Sequence, residues 1–206
     1  CAALTRLMPE LDRLFGIPQP PRYHPEIDTG THIMQVIDWT ARRGYGLPVR
    51  WAALLHDLGK GTTPPEFWPK HHGHEGRGVG LAKALSERLK APVECRDLAV
   101  LVARDHGNVH RAEELRPSTV LELLERCDAF RRPERFDECL QACEADFRSR
   151  PGFAERDYSP PERLKRALSS AREVDAGAIA QSAPPERIAE RIRLARVQAI
   201  EQALAA

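Results

Sequence analysis

Eight histidines are spread through 206 residues, and several stand where an imidazole could hold a metal. The segment Leu54-Leu55-His56-Asp57-Leu58-Gly59-Lys60 places a His-Asp pair at the end of the strongly apolar stretch that begins at Trp51. Burying an ionised carboxylate without a partner is costly, so Asp57 needs a cation, a basic side chain or a metal. Neighbouring helical positions are about 100° apart, so His56 and Asp57 can reach one ion from adjacent directions. Asp128 poses the same problem, with Leu124 one turn and Leu121 two turns before it. His32 shares a helical face with Val36 and Trp39 and points inward. Together His32, His56, Asp57 and Asp128 form a mixed imidazole–carboxylate set, which suits a divalent transition metal better than calcium. His74, before the helix start at Glu75-Gly76, and His106, at the end of an apolar helix, are candidates for completing a second site. His71 and His72 share the His74 loop, and His110 lies in a polar one.

Each residue also has a plainer reading. A lone His32 would be a hydrogen-bonded core histidine, and Asp128 alone could pair with Arg104 or Arg131. Lys60 could hold a substrate phosphate as a point charge or simply sit solvated at a helix C-terminus. The joint occurrence of these residues favours the metal.

The elements that must position them are helical. Apolar residues recur at helical spacing nearly throughout, and no period-2 run appears. Helices are expected over Leu4–Leu14, after a cap at Asp28 or Thr29, over Val49–Leu58, Val79–Leu89 and Glu94–Asp105. Another is expected to Phe130 behind a capping box of Thr119 and Glu122. Further helices are expected over Phe136–Phe147, Glu162–Glu173 and from Pro184-Pro185 onward. The long Pro- and His-rich loop from Thr62 to Gly73 reads as functional. A change of character near Arg131–Pro133 suggests a core over 1–131 and a C-terminal helical extension over 132–206. The expected fold class is therefore all-α.

With 31 Lys+Arg against 30 Asp+Glu, net charge does not announce a nucleic-acid partner. No apolar stretch is long enough to cross a bilayer, and no leader pattern opens the chain, so a cytoplasmic protein without a membrane partner is expected. The opening at Cys1 rather than Met hints at a longer parent. The five cysteines lack CxxC spacing, which argues against a disulfide framework or a zinc ribbon. Cys139 and Cys143, one helical turn apart, read as buried thiols.

The pattern of His32, then His56-Asp57-Leu-Gly-Lys60, then Asp128 resembles the H…HD…D signature of the HD-domain metal-dependent phosphohydrolases. The stretch Tyr23 to His32 is similar to the opening of the HD domain in bacterial CCA-adding enzymes (tRNA nucleotidyltransferases). So are His56 to Glu66, Trp68 to His74, and Glu144-Ala-Asp146 with Phe153 and Asp157-Tyr158. The nucleotidyltransferase head of that family has no counterpart here, so CCA addition is not expected. The resemblance implies an HD-domain helical bundle that hydrolyses 2′,3′-cyclic phosphates, 2′-nucleotides and phosphate monoesters. It implies one or two divalent ions, nickel, manganese, cobalt or magnesium, held by His32, His56, Asp57 and Asp128, with His74 and His106. Lys60, Arg104, Arg131 and Arg132 are the phosphate candidates. Nucleotides or RNA 3′-end phosphates, tRNA foremost, are the expected partners, and a homodimer is compatible with the reading. The alternative is a tRNA-docking or dimerisation module with a structural or vestigial metal, using Arg187, Arg191, Arg193 and Arg196 on the last helix. Interleaved Glu186 and Glu190 favour a salt-bridged solvated face there instead.

Overall fold

A computed structural model describes residues 3–205. They form eleven α-helices and three short 3-10 helices, with no strand among the described residues beyond an isolated bridge between Pro18 and Asp28. The helices are α1 (Ala3–Leu7), α2 (Pro9–Asp12), α3 (Thr29–Arg42), α4 (Leu47–Leu55), α5 (His74–Arg88), α6 (Val93–His110), α7 (Pro117–Arg126), α8 (Pro133–Arg148), α9 (Pro160–Arg172), α10 (Ala176–Ser182) and α11 (Ile188–Ala205). The 3-10 turns cover Leu58–Thr62, Pro65–Phe67 and Pro185–Arg187. No described helix is long and apolar enough to cross a membrane.

Local chemistry accounts for most helix ends. Pro9 splits the expected opening helix, because the residue before a proline is driven out of helical geometry and Met8 adopts φ −139°, ψ 61°. Asp28 caps α3 by accepting from the Thr31 backbone N–H at 2.7 Å. Helix α4 starts two residues earlier than expected, since Pro48 is tolerated in a first turn. It also ends earlier, at Leu55: Asp57 takes φ −107°, ψ 11°, and the chain tightens into the Leu58–Thr62 turn. That turn lies so close to the start of α5 that a Cβ at Gly59 would collide with the His74 carbonyl oxygen. Thr119 does not cap α7. Its N–H bonds the Arg116 carbonyl at 2.8 Å, and Arg116 occupies the N-cap, with Pro117 opening the helix behind it. The short α10 carries no apolar period and is held at its start by Asp175, which accepts from the Ala178 N–H at 2.9 Å.

The chain divides into two compact units, Cys1–Gly107 with Asp137–Tyr158, and Asn108–Phe136 with Ser159–Ala206. The boundary expected at 131/132 falls inside the second of these. The division follows burial: most of α8 belongs to the first unit, where Ala145 packs with Val36 of α3 and Ala53 of α4. In the second unit α7, α9 and α11 pack on one another around Leu121, Leu124, Leu164, Leu168 and Ile200. Three arginines at and before its last helix have partners within the unit. Arg187 pairs with Glu190 at 3.0 Å, Arg193 reaches Glu122 at 2.8 Å and Glu125 at 3.2 Å, and Arg196 stacks over Phe130 at 4.5 Å. Cys95, Cys127, Cys139 and Cys143 are buried thiols in no disulfide.

Candidate metal centre

Five elements of the first unit deliver side chains to one buried point. Helix α3 brings His32, the end of α4 brings His56 and Asp57, α5 begins with His74, α6 carries His106, and α8 carries Asp146. Backbone carbonyls set the histidine tautomers. His56 Nδ1 lies 2.7 Å from the Ala53 oxygen, His74 Nδ1 2.8 Å from His71 oxygen, and His106 Nδ1 3.0 Å from Val102 oxygen. A carbonyl oxygen only accepts, so Nδ1 carries the proton in each ring and the neutral imidazole presents a lone pair at Nε2. Those three Nε2 atoms converge on Asp57, at 3.2 Å to Oδ2 from His56, and at 3.3 and 3.6 Å to Oδ1 from His74 and His106. The Nε2 atoms of His74 and His106 are 3.4 Å apart. Lone pairs facing one another and a carboxylate require a cation or protons among them.

The electrostatics point the same way. Burial alone would push the Asp57 carboxyl up, but Lys60 and the surrounding imidazoles outweigh it and hold the group well below the usual carboxylate range. Lys60 Nζ donates to Asp57 Oδ2 at 2.7 Å and to Gln19 Oε1 at 2.6 Å. Burial pushes His106 well down, which keeps it neutral and ready to ligate. His32 is opposed by burial too, yet the carboxylates of Asp146 and Glu26 raise it, with Asp146 Oδ1 2.9 Å from Nε2 and Glu26 Oε1 2.8 Å from Nδ1. Asp146 is itself met by Arg150 at 2.8 Å, and its Oδ2 lies 3.8 Å from His56 Nε2.

A divalent ion fits this arrangement. His56 Nε2 and Asp57 Oδ1 are buried and lack a hydrogen-bond partner, an arrangement that is rare and expensive unless something else binds there. Ligand atoms of His32, His56 and Asp57 lie within 4.8 Å of one another, as do those of Asp57, His74 and His106. Asp57 belongs to both groups, so one carboxylate could serve two adjacent ions. Imidazole nitrogens with carboxylate oxygens suit manganese, iron, cobalt, nickel or zinc.

Of the residues read from the sequence, His32, His56, Asp57, His74 and His106 are brought together, and Lys60 is buried beside them. Asp128, expected as a ligand, is in none of the groups found among the described residues. Helix α7 ends at Arg126, and Asp128 follows its C-cap in the left-handed region at φ 54°. The N–H groups of Asp128 and Ala129 close the helix end onto the carbonyls of Glu125 and Leu124, at 3.0 and 2.9 Å. Its carboxylate faces Arg131, Arg132 and Arg135 at 3.6–3.9 Å, so the pairing with Arg131 weighed above is the one observed. Arg131 and Arg132 belong to the second unit and lie beside Asp128. Arg104 binds its neighbour Asp105 at 2.7 Å. His71 is turned to the Pro18 carbonyl at 2.9 Å, and His72 is exposed.

The centre also contains residues that sequence reasoning passed over as ligands or supports: Asp146, Arg150, Glu26, His24 and Gln19. Asp146 had a readable signal. It stands three and seven residues after Cys143 and Cys139, on the buried face of α8.

Residues 26–151 match the HD domain model, a span that includes His32 through Asp146. The chain is 63% identical over 181 residues to a Multifunctional CCA protein of Nitrosospira multiformis, covering 88% of this chain and 44% of that protein. It is 56% identical over 206 residues to the Multifunctional CCA protein of Burkholderia mallei, covering 99% of this chain and 50% of that one. The protein of that name from Cupriavidus metallidurans is 55% identical over the same length. The chain thus spans about half the length of the curated relatives it matches. No solved structure gives a significant match. With more than half of its residues matched by that family's model, across the elements that build the histidine–aspartate centre, the chain belongs to the HD-domain family.

Proposed function

We propose that the first unit is a metal-dependent phosphohydrolase, acting as a 2′,3′-cyclic phosphodiesterase, 2′-nucleotidase and phosphatase on nucleotides or RNA 3′ ends. The observation that carries the reading is the buried, unpartnered pair His56 Nε2 and Asp57 Oδ1 inside a ring of imidazoles. His32, His56, Asp57 and Asp146 would hold one ion, and Asp57, His74 and His106 a second. Nickel, manganese, cobalt and magnesium are the candidates. Such an ion supplies Lewis acidity, acidifying a water toward neutral pH and polarising a phosphoryl oxygen.

The protein's own groups do the rest by orientation. Three backbone carbonyls fix the Nδ1–H tautomer of His56, His74 and His106, so that the neutral rings turn the Nε2 lone pair inward. Lys60 and Gln19 hold the Oδ2 side of Asp57, so Oδ1 is the oxygen turned to His74 and His106. This favours Lys60 as a holder of Asp57 over Lys60 as a phosphate clamp. Arg104, two residues before His106 and with its side chain 38% exposed, is the phosphate candidate of this unit. The resemblance to CCA-adding enzymes makes tRNA 3′ ends the proposed source of substrate. Buried thiols in no disulfide suit a reducing cytoplasm.

The test is hydrolysis of 2′,3′-cyclic AMP by metal-stripped protein re-supplied with each candidate ion, beside Asp57→Ala. Turnover should return with at least one ion and be lost in the variant. Folded wild type that stays inactive with every ion would sink the assignment for this substrate class.

A further inference from the structure

The turn Tyr23–Asp28 contains an expensive feature with no packing reward. Ile27 adopts φ 62°, a left-handed conformation that a β-branched side chain strongly resists, and it is 47% exposed. Strain of this kind persists only where the surroundings over-determine it, and it gathers at functional sites. Here the surroundings are explicit. The Gln19 N–H donates to the Ile27 carbonyl at 2.7 Å, the Ile27 N–H to His24 at 2.9 Å, and the Asp28 N–H to Glu26 at 2.6 Å. Asp28 then caps α3, the helix that carries His32.

The turn thereby drives the Glu26 carboxylate inward, where its side chain is only 2% exposed. Oε1 hydrogen-bonds His24 Nδ1 at 3.0 Å and stands 2.8 Å from His32 Nδ1, the latter short but not fully aligned. His32 Nε2, on the opposite side of the same ring, is the atom facing Asp146. His24, Glu26 and His32 also lie close enough together to suggest an ion site of their own. Chemistry decides against that. Metal–ligand bonds of about 2.0–2.2 Å would need His32 Nδ1 stripped of its proton while Nε2 already serves the centre.

We propose that Glu26, held by His24 and by the strained turn at Ile27, is a positioning residue that fixes His32 for metal binding. With an ion at Nε2, the ring's proton would stay at Nδ1 facing Glu26, which would set the ring angle and make Nε2 a stronger donor. The inference rests on the metal reading above, but not on any substrate.

The test is nickel affinity of the whole chain, measured by competition with a chromogenic chelator, for wild type, Glu26→Ala, Glu26→Gln and His24→Ala. Glu26→Ala should bind nickel about 10–100-fold more weakly. Glu26→Gln keeps an acceptor oxygen and should recover part of that loss, while His24→Ala should lose less than Glu26→Ala. Melting of the metal-free proteins separates a mere structural role, which would lower the melting temperature and leave nickel affinity as it was; that result overturns the proposal. If Glu26→Ala does not fold, Glu26→Leu, which fills the space without an acceptor, decides, and wild-type affinity in it overturns the proposal equally. Wild type that binds no nickel would bring down the metal reading and this inference with it.

Discussion

Asp128 and Asp146 are both aspartates at or near a helix end, each one turn beyond an apolar residue, and their surroundings differ sharply. Asp146 sits inside the continuous α8, its side chain 5% exposed, between His32, His56 and Arg150. Asp128 lies past the end of α7, 29% exposed, with three arginines at 3.6–3.9 Å. The difference teaches that a helical face extrapolates only as far as the helix. Leu124 is one turn before Asp128 by count, but α7 stops at Arg126 and the left-handed turn carries Asp128 off that face. Lys90 plays the same part after α5, at φ 53°.

Substitutions can break or sharpen this contrast. The largest effect is expected from Asp146→Ala, which should weaken nickel binding by more than about 100-fold and abolish hydrolysis. Chelator competition with the purified variant checks it, and near-wild-type affinity would remove Asp146 from the centre. Next, nickel at about 100 times Kd should stabilise wild type by roughly 2.7 kcal/mol, because only the folded state presents the site. Thermal melts should show that gain kept in Asp128→Gly and absent in Asp146→Ala. Asp128→Gly should itself change stability by less than about 1 kcal/mol, since loose, exposed ion pairs are weak and glycine suits the left-handed position. A large loss there would mean that the arginine cluster matters structurally. The smallest effect concerns Ile27, left-handed like Asp128. Ile27→Gly trades roughly 1–2 kcal/mol of backbone strain against roughly 0.5–1 kcal/mol of added chain entropy, so urea midpoints should rise slightly.

Much of the centre was legible because burial and charge conflict visibly in the sequence. His56-Asp57 closes an apolar run, and His32 shares its face with Val36, so their inward placement follows from periodicity alone. His74 was readable from the helix start behind it. Asp146 was legible in principle: the thiols of Cys139 and Cys143 marked the buried face on which it lies, but Leu121 and Leu124 drew attention to Asp128 instead. His24 and Glu26 left no such trace. They sit in a proline-rich turn without a period, and only the backbone bonds from Gln19 and Asp28 aim them inward. The all-α class came from spacing, whereas the division into units did not, because α8 begins in one unit and continues into the other.

The contact between His32 and Asp146 joins positions 114 residues apart. Closing so long a loop costs an unstructured chain about 4 kcal/mol, whereas His56, Asp57, Lys60 and His74 are near neighbours along the sequence. The local half of the centre can therefore assemble early, and the distant carboxylate arrives only when the fold is nearly complete. An ion that needs both halves gains little in the folding transition state and nearly everything in the native one. Nickel should accordingly leave the refolding rate almost unchanged and slow unfolding, so that the metal acts as a latch on a finished structure rather than a seed for it. Stopped-flow refolding with and without nickel reads this directly, and a refolding rate that climbs with nickel would show the ion joining before the loop has closed.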